Sequence, residues 1–154
     1  MKYLAESPQD TKEFGMALAR LLQPGDLISL EGELGAGKTQ VAKGIGAGLG
    51  ILETTITSPS FTLINQYEGQ YPVYHFDVYR IEPSSLEDLG YEEYFFGNRI
   101  CLVEWGNRIR EYLPAEYLQI VIRETAPQQR ELILTAHGER YRRLLSQLRV
   151  VVQA

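Results

Sequence analysis

Residues 32–39 read Gly-Glu-Leu-Gly-Ala-Gly-Lys-Thr and match the phosphate-loop pattern G-x-x-x-x-G-K-[ST]. Glycines at such positions let backbone N–H groups curl around an anion, and the following helix directs its positive dipole end at it. The backbone expected to contact nucleotide phosphates is that of Leu34, Gly35, Ala36 and Gly37. Lys38 would reach the β- and γ-phosphates, and the Thr39 hydroxyl would ligate Mg²⁺. The segment predicts a nucleoside triphosphate site rather than an ordinary glycine-rich turn.

A carboxylate after an apolar run is the second candidate for this site. Residues 100–103 read Ile-Cys-Leu-Val, and Glu104 follows them directly. In open α/β sheets, ligands bind beyond the carboxyl ends of the strands, so Glu104 should lie beside the phosphates. The acid that holds Mg²⁺ in phosphate-loop proteins, directly or through water, has this position. The plainer alternative is a charged residue that merely ends a strand.

The segment His-Phe-Asp-Val-Tyr-Arg at 75–80 is the third candidate. Because side chains alternate along a strand, His75, Asp77 and Tyr79 would share one face. Three titratable groups in a row favour a site surface, and an edge strand with one hydrated face is the alternative. Asp77 could position the attacking water or assist the metal. Arg80 could meet phosphate or pair with neighbouring acids.

Hydroxyl groups are frequent in residues 57–62, which read Thr-Ser-Pro-Ser-Phe-Thr. Such segments after the first helix of the loop often close on Mg²⁺ and the γ-phosphate as a switch, although a plain turn fits the sequence nearly as well. Ser60 and Thr62 are the candidate sensors. The chain lacks an Asn-Lys-x-Asp segment of the guanine-recognising type, which favours adenine.

No arginine of the sequence stands out as a pre-positioned finger for the transferred phosphate. We therefore expect slow hydrolysis by the isolated chain. A partner could order the switch, or one of three arginines could swing in: Arg80, Arg108 or Arg110.

Composition limits the class of protein further. The chain has 154 residues, enough for one domain spanning 1–154, with 44% hydrophobic and 23% charged residues. Its formal net charge of −5 argues against a free-standing nucleic-acid binder, so any work on RNA would need a more basic partner. The single Cys101 excludes an internal disulfide and lies in an apolar run typical of a core. No stretch resembles a signal peptide or a membrane span, and we expect a cytoplasmic protein.

Hydrophobic periodicity indicates the elements that would position these groups. Helices are predicted from Pro8, capped by Ser7, to about residue 22, over 38–49 and around the apolar face of Tyr141, Leu144, Leu145 and Leu148, with a mixed acidic helical segment at 84–96. Strands are predicted at 27–31, 61–67, 71–77, 99–103, 117–124 and 130–136. The pattern predicts an α/β protein of the phosphate-loop NTPase type. Its three layers would contain a mixed, mainly parallel central sheet with antiparallel hairpin additions.

The four motifs together are more specific than the loop alone. Gly-Glu-Leu-Gly-Ala-Gly-Lys-Thr, Ser-Pro-Ser-Phe-Thr-Leu, His-Phe-Asp-Val-Tyr-Arg and Ile-Cys-Leu-Val-Glu-Trp follow one another in a single small chain. In order and spacing the chain closely resembles the bacterial TsaE (YjeE) family over nearly its whole length. The resemblance implies an ATPase required for N6-threonylcarbamoyl modification of adenosine 37 in tRNA. It also implies partner proteins of the TsaD and TsaB types, with tRNA reached through that complex.

Residue roles also follow from the resemblance. Lys38 and Thr39 match the family's loop lysine and its Mg²⁺-binding hydroxyl, and Glu104 matches its metal-associated glutamate. Functionally important family positions correspond to Asp77 and Trp105. Arg130 looks like a family arginine near the nucleotide, and the stretch around Pro8 lies where the family places the base. Glu33 and Ser60 stand where the family more often has Asp and Thr, which leaves open whether Ser60 or Thr62 senses the γ-phosphate.

Three functions remain open from the sequence. The first is a Mg²⁺-ATPase that acts as a motor or switch in a tRNA-modifying assembly. The second is a small-molecule kinase, although the arginines are scattered and form no evident lid. The third is a nucleotide-gated binding subunit whose hydrolysis is incidental.

Overall fold

The computed structural model describes residues 1–57, 59 and 63–152, and seven of its strands form one sheet. In chain order the strands are β1 (Lys2–Ala5), β2 (Leu27–Glu31), β3 (Ile64–Glu68), β4 (Pro72–Asp77), β5 (Ile100–Glu104), β6 (Tyr117–Ala126) and β7 (Gln129–His137). Across the sheet they are ordered β1-β7-β6-β2-β5-β4-β3. The pairs β2–β5, β2–β6 and β4–β5 are parallel, whereas β1–β7, β6–β7 and β3–β4 are antiparallel. This confirms the predicted parallel centre with antiparallel hairpins.

Helices cover both faces of the sheet. They are α1 (Pro8–Ala19), α2 (Lys38–Gly48), α3 (Ser85–Asp88), α4 (Tyr91–Phe95) and α5 (Glu139–Val152), with 3₁₀ segments at Glu53–Thr55 and Gly106–Tyr112. One hydrophobic core joins α1, α2 and α5 to the sheet, and a second joins α3, α4 and the 3₁₀ segment Gly106–Tyr112 to the opposite face. The three predicted layers are confirmed. No helix among the described residues is long and apolar enough to cross a bilayer.

Several predicted boundaries shift in the structure. The strand expected at 61–67 begins at Ile64, while Phe61 and Thr62 lie outside the described residues. The segment 84–96 forms two short helices because Gly90, at φ +68°, separates them. β1 was not predicted, since four residues at a sheet edge carry little periodic signal; it pairs with β7. The predicted burial of Cys101 is confirmed, and burial raises the pKa of its thiol to about 12.

The C-terminal helix fastens the start of β2. The Tyr141 hydroxyl accepts a hydrogen bond from the Leu27 N–H at 3.0 Å. Arg140 Nη2 lies 2.7 Å from Asp26 Oδ2, one residue before the strand begins. Burial raises the pKa of Tyr141 to about 12, so this hydroxyl stays protonated at neutral pH. α5 therefore anchors the end of β2 that lies opposite the phosphate loop.

Glycines allow α1 and α2 to approach backbone to backbone. A Cβ on Gly44 would lie 2.3 Å from the carbonyl oxygen of Lys12, and one on Gly15 would lie 2.8 Å from that of Val41. These contacts explain two of the small residues that otherwise weaken the helices. Gly15 and Gly44 therefore allow the backbones of α1 and α2 to come into direct contact.

We predict that Gly44→Ala lowers the free energy of unfolding by about 1–3 kcal/mol, because the backbone of α1 cannot yield. Helix propensity alone would instead raise it by about 0.8–1.0 kcal/mol. Gly46→Ala should cost less, since its Cβ would meet the flexible tip of Ile56. Urea denaturation measures both, with Lys43→Ala in the same helix as the control. A Gly44→Ala protein more stable than the wild type would contradict the close-approach account.

Candidate functional site

The phosphate loop connects the end of β2 to the start of α2. Gly32 passes so close to β6 that a Cβ would lie 2.4 Å from the carbonyl oxygen of Ile122. Gly37 has φ +117° and directly precedes the first residue of α2, a conformation that side-chain-bearing residues rarely adopt. The predicted strand–loop–helix context is confirmed, with Lys38 as the first helical residue.

Lys38, at the start of α2, is a buried residue with 5% of its surface exposed. Its ammonium donates hydrogen bonds to the carbonyl oxygens of Gly32 at 2.7 Å and Glu33 at 2.8 Å. It also lies 4.2 Å from the centroid of the Trp105 ring. Burial lowers the pKa of Lys38, while the charges of Glu104 and Asp77 act in the opposite direction. A further anion beside this ammonium would favour its charged form.

Two carboxylates face the loop from neighbouring strands. Asp77 and Glu104 are register partners at the ends of the parallel strands β4 and β5, and both side chains are buried. They lie with Lys38, Thr39 and Trp105 around a cavity of about 230 Å³, whose lining is completed by Leu34, Gly35 and Gly37. Pairing of β5 with β2 thus brings Glu104 near Lys38, more than sixty positions earlier in the chain, as the sequence predicted for Glu104.

The oxygen donors in this cavity fit Mg²⁺ bound together with phosphate. Among the described residues, no group of three His, Cys, Asp or Glu side chains is placed to hold a metal ion by itself. Mg²⁺ is typically bound through one or two carboxylates together with substrate phosphates and water. The Thr39 hydroxyl and the carboxylates of Asp77 and Glu104 supply that kind of donor set.

His75 is fully buried and lies behind Glu104 rather than on a hydrated face. Its Nε2 is 2.5 Å from Oε2 of Glu104, and its Nδ1 is 3.4 Å from the hydroxyl of Tyr67. Since β4 lies between β5 and β3, the alternative of an edge strand with one hydrated face is wrong. Tyr79 lies beyond the end of β4, and its ring centroid is 4.6 Å from that of Trp105.

Arg130 and Pro8 lie together at the other side of the loop. Arg130 Nε donates a hydrogen bond to the carbonyl oxygen of Ala36 at 2.7 Å. A second cavity of about 170 Å³ is lined by Pro8, Thr11, Gly37, Gln40, Gln128 and Arg130. Gly37 lines this cavity and the one that holds Lys38, so the two meet at the loop.

The three candidate arginines do not line either of these cavities. Arg80 is exposed, Arg108 donates a hydrogen bond to the carbonyl oxygen of Tyr79, and Arg110 pairs with Glu31 at 3.3 Å. None of these described arginines lines the cavity that holds Lys38. Ser60 and Thr62 lie outside the described residues.

Sequence reasoning missed several residues that contact the site. Thr11, Gln40 and Gln128 line the cavity beside Pro8, and Tyr67 contacts His75. Thr11 follows Pro8 by three residues in α1, and Gln40 lies in the first turn of α2. Helical spacing could therefore have indicated both residues once the base was expected near Pro8. Gln128 lies in the turn between β6 and β7 at φ +67°, and no sequence pattern indicated it.

The fold and the loop define the class: the chain is an α/β protein of the phosphate-loop NTPase fold. The sequence model of the family described as threonylcarbamoyl adenosine biosynthesis protein TsaE matches residues 5–132 of this chain. With this match over most of its length, the chain belongs to the TsaE family.

Individual relatives agree with this family. A Bacillus subtilis protein named tRNA threonylcarbamoyladenosine biosynthesis protein TsaE is 48% identical over 149 residues, which cover 96% of this chain and 93% of the relative. A Treponema pallidum protein of the same name is 43% identical over 135 residues, with coverage of 86% and 98%. The crystal structure of Bacillus subtilis YdiB matches with a TM-score of 0.81 and 43% identity, covering 96% of this chain and 93% of YdiB.

We predict that Glu104→Ala lowers the free energy of unfolding by about 1–3 kcal/mol, because it leaves the buried His75 Nε2 without its partner. Glu104→Gln should cost less because its amide oxygen still accepts a hydrogen bond. Urea denaturation checks the ranking, with the exposed Glu111→Ala as control. If Glu104→Ala were as stable as Glu111→Ala, the contact between Glu104 and His75 would not contribute to folding.

Proposed function

We propose that this chain is a Mg²⁺-dependent ATPase that supports threonylcarbamoyl modification of adenosine 37 in tRNA. It would act with partner proteins of the TsaD and TsaB types in the cytoplasm. One observation carries the ATPase part of the proposal: a single cavity combines the buried Lys38 ammonium, the Thr39 hydroxyl and the carboxylates of Asp77 and Glu104. Membership of the family supports the pathway.

The loop residues would bind the triphosphate. Backbone N–H groups of residues 34–37 and the N-terminus of α2 favour an anion, and Lys38 adds a full positive charge. The phosphate oxygens would replace the carbonyl oxygens of Gly32 and Glu33 as acceptors for the Lys38 ammonium. The charge that develops on the transferred phosphoryl group would then be stabilised at a site whose donors are already in place.

Other residues that line the same cavity would orient the metal and the water. Bound Mg²⁺ neutralises charge on the phosphate oxygens. Thr39 and Glu104 would hold it, Glu104 directly or through water, and Trp105 would keep Lys38 within the loop. Asp77, at the end of β4, would either orient the attacking water or assist at the metal.

The cavity beside Pro8 is suited to the adenosine end of the nucleotide. It adjoins the loop at Gly37 and combines the Pro8 ring with polar side chains from α1, α2 and the β6–β7 turn. Arg130 would bind the nucleotide from β7 while its Nε holds the loop at Ala36. An apolar surface with a few placed polar groups is typical of sites for a flat, polar-edged base.

Partners are expected to accelerate hydrolysis and to bring tRNA to the assembly. The described lining of the Lys38 cavity contains no arginine, and arginine fingers raise the rate of such reactions by roughly 10³–10⁵. The net charge of −5 disfavours direct binding of RNA by this chain alone. Residues 75–80 and Trp105, with Ser60 and Thr62, are the proposed coupling segments between nucleotide and partner.

We predict slow Mg²⁺-dependent phosphate release from ATP by the purified chain, faster release with TsaD- and TsaB-type partners, and no ATP binding by Lys38→Ala. The loss would follow from removal of the one cation among the described lining residues of this cavity, which we expect to contact the phosphates. Phosphate release and calorimetry with ATP measure these effects, and Lys43→Ala is the matched control on α2.

Other outcomes separate the alternatives. Transfer of phosphate to an added metabolite would indicate a kinase, and ATP binding without hydrolysis in the presence of both partners would indicate a gated binding subunit. Fast turnover by the isolated chain would contradict the proposed dependence on partners. Absence of affinity for any purine triphosphate would contradict the proposed function as a whole.

We predict that Arg130→Ala weakens ATP binding by about tenfold, which corresponds to about 1.4 kcal/mol for the loss of one charged contact. Inorganic tripolyphosphate should be affected less, because it has no adenosine. Calorimetry with both ligands measures the difference, and Arg123→Ala, an exposed arginine of β6, is the control. Equal losses for both ligands would show that Arg130 acts at the phosphates or through the loop rather than at the adenosine.

A further inference from the structure

A chain of polar groups, buried except at its Thr57 end, leads from the proposed metal carboxylate to the segment before Ser58. We call Glu104, His75, Tyr67 and Thr57 the relay. Glu104 Oε2 and His75 Nε2 are 2.5 Å apart, and His75 Nδ1 is 3.4 Å from the Tyr67 hydroxyl. That hydroxyl lies 3.3 Å from the Thr57 N–H and 3.2 Å from the Thr57 carbonyl oxygen. The relay therefore joins the end of β5, through β4 and β3, to the backbone at Thr57.

The donors and acceptors of the relay constrain each other. When Nε2 of His75 donates to Glu104, a neutral ring offers Nδ1 as an acceptor, and the Tyr67 hydroxyl is the donor in reach. The single hydroxyl proton of Tyr67 cannot serve His75 and the Thr57 carbonyl oxygen together. Asn65 Nδ2, at 3.3 Å from that carbonyl oxygen, supplies a second donor. A change at either end of the relay therefore alters which bond Tyr67 can make.

We propose that His75 is a positioning residue for Glu104 and that Tyr67 couples the orientation of this carboxylate to the backbone at Thr57. The inference rests on the proposed binding of Mg²⁺ and ATP. Hydrogen bonds from buried histidines and other neighbours orient metal-binding carboxylates, and their loss typically costs 10–100-fold in metal affinity. The hydrogen bond to His75 engages Oε2 of Glu104, a residue that also lines the Lys38 cavity.

Thr57 connects the relay to the proposed sensor. It precedes residues 58–62, which contain the candidates Ser60 and Thr62. Both backbone groups of Thr57 contact the Tyr67 hydroxyl, so a side chain of the sheet holds this residue. Filling of the metal site and the position of Thr57 are thereby linked, and by reciprocity each affects the other.

Trp105 provides the readout for the first experiment. It is the single tryptophan of the chain and lies between Lys38 and Tyr79. Its fluorescence is titrated with Mg²⁺ at saturating ATP, and ATP binding is measured separately in EDTA. His75→Leu should raise the Mg²⁺ midpoint about 10–100-fold and leave ATP binding in EDTA near the wild-type value.

Two further variants separate positioning from packing. A glutamine amide nitrogen is three bonds from Cβ, as is Nε2 of histidine, so His75→Gln should recover most of the Mg²⁺ affinity. An asparagine amide nitrogen matches Nδ1 instead, so His75→Asn should not. His137→Leu, which removes the other histidine of the chain, is the matched control.

The second experiment tests the coupling through Tyr67. Hydrogen exchange of the amides in residues 57–63 is compared for ATP with Mg²⁺ and ATP with EDTA. In the wild type Mg²⁺ should change this exchange. Tyr67→Phe should remove most of that change while shifting the Mg²⁺ midpoint less than His75→Leu does. Tyr71→Phe, in the turn between β3 and β4, is the control.

The outcomes distinguish the relay from the proposed function. If the wild type binds Mg²⁺ and ATP but His75→Leu has the wild-type midpoint, or if glutamine and asparagine behave alike, the positioning role is wrong. If Tyr67→Phe keeps the wild-type exchange difference, the coupling is wrong. If the wild type binds no ATP, the proposed function fails first, and the relay fails with it.

Discussion

The buried charge of Lys38 constrains the arrangement of the edge of the sheet that carries the phosphate loop. An ammonium group in this position is costly unless suitable groups surround it, and here they come from the loop and from the end of β5. The carbonyl oxygens of Gly32 and Glu33 accept hydrogen bonds from the ammonium, and the ring of Trp105 faces it. The loop conformation and the position of β5 beside β2 are thus parts of one electrostatic arrangement.

The two carboxylates near Lys38 differ in how they are held. Glu104 is bonded to the buried His75, and Asp77 accepts a hydrogen bond from the Tyr79 N–H at 2.9 Å. Neither forms a direct ion pair with Lys38 among the described contacts, although both favour its charged form. Groups of both charges therefore line one cavity, as a bound phosphate and its cation would require.

Much of this arrangement was predictable from local sequence. Strand β2, the loop and the start of α2 follow from an apolar run, fixed glycines and Lys38, which are all local signals. Glu104 was placed correctly because carboxyl ends of parallel strands meet at one edge of the sheet. The face of α5 followed from the spacing of Tyr141 and three leucines.

What escaped prediction depends on pairing between distant segments. Tyr67 meets His75 only because β3 and β4 pair in one particular register, which hydrophobic alternation alone does not define. The burial of His75 likewise follows from the position of β4 inside the sheet, because the same alternation would suit an edge strand. The hydrogen bond from Arg130 to the Ala36 carbonyl oxygen joins residues 94 positions apart in the chain. It forms because β7 lies near the loop.

The attachment of α5 to the start of β2 connects a helix far from the phosphate loop to the strand that carries the loop. Tyr141 contacts the first residue of β2, and Arg140 pairs with the residue before it. The strand is therefore held at the end opposite the loop. The family match ends at residue 132, before this helix begins. The C-terminal helix therefore holds in place the strand that carries the phosphate loop, although none of its described residues lines the cavity around Lys38.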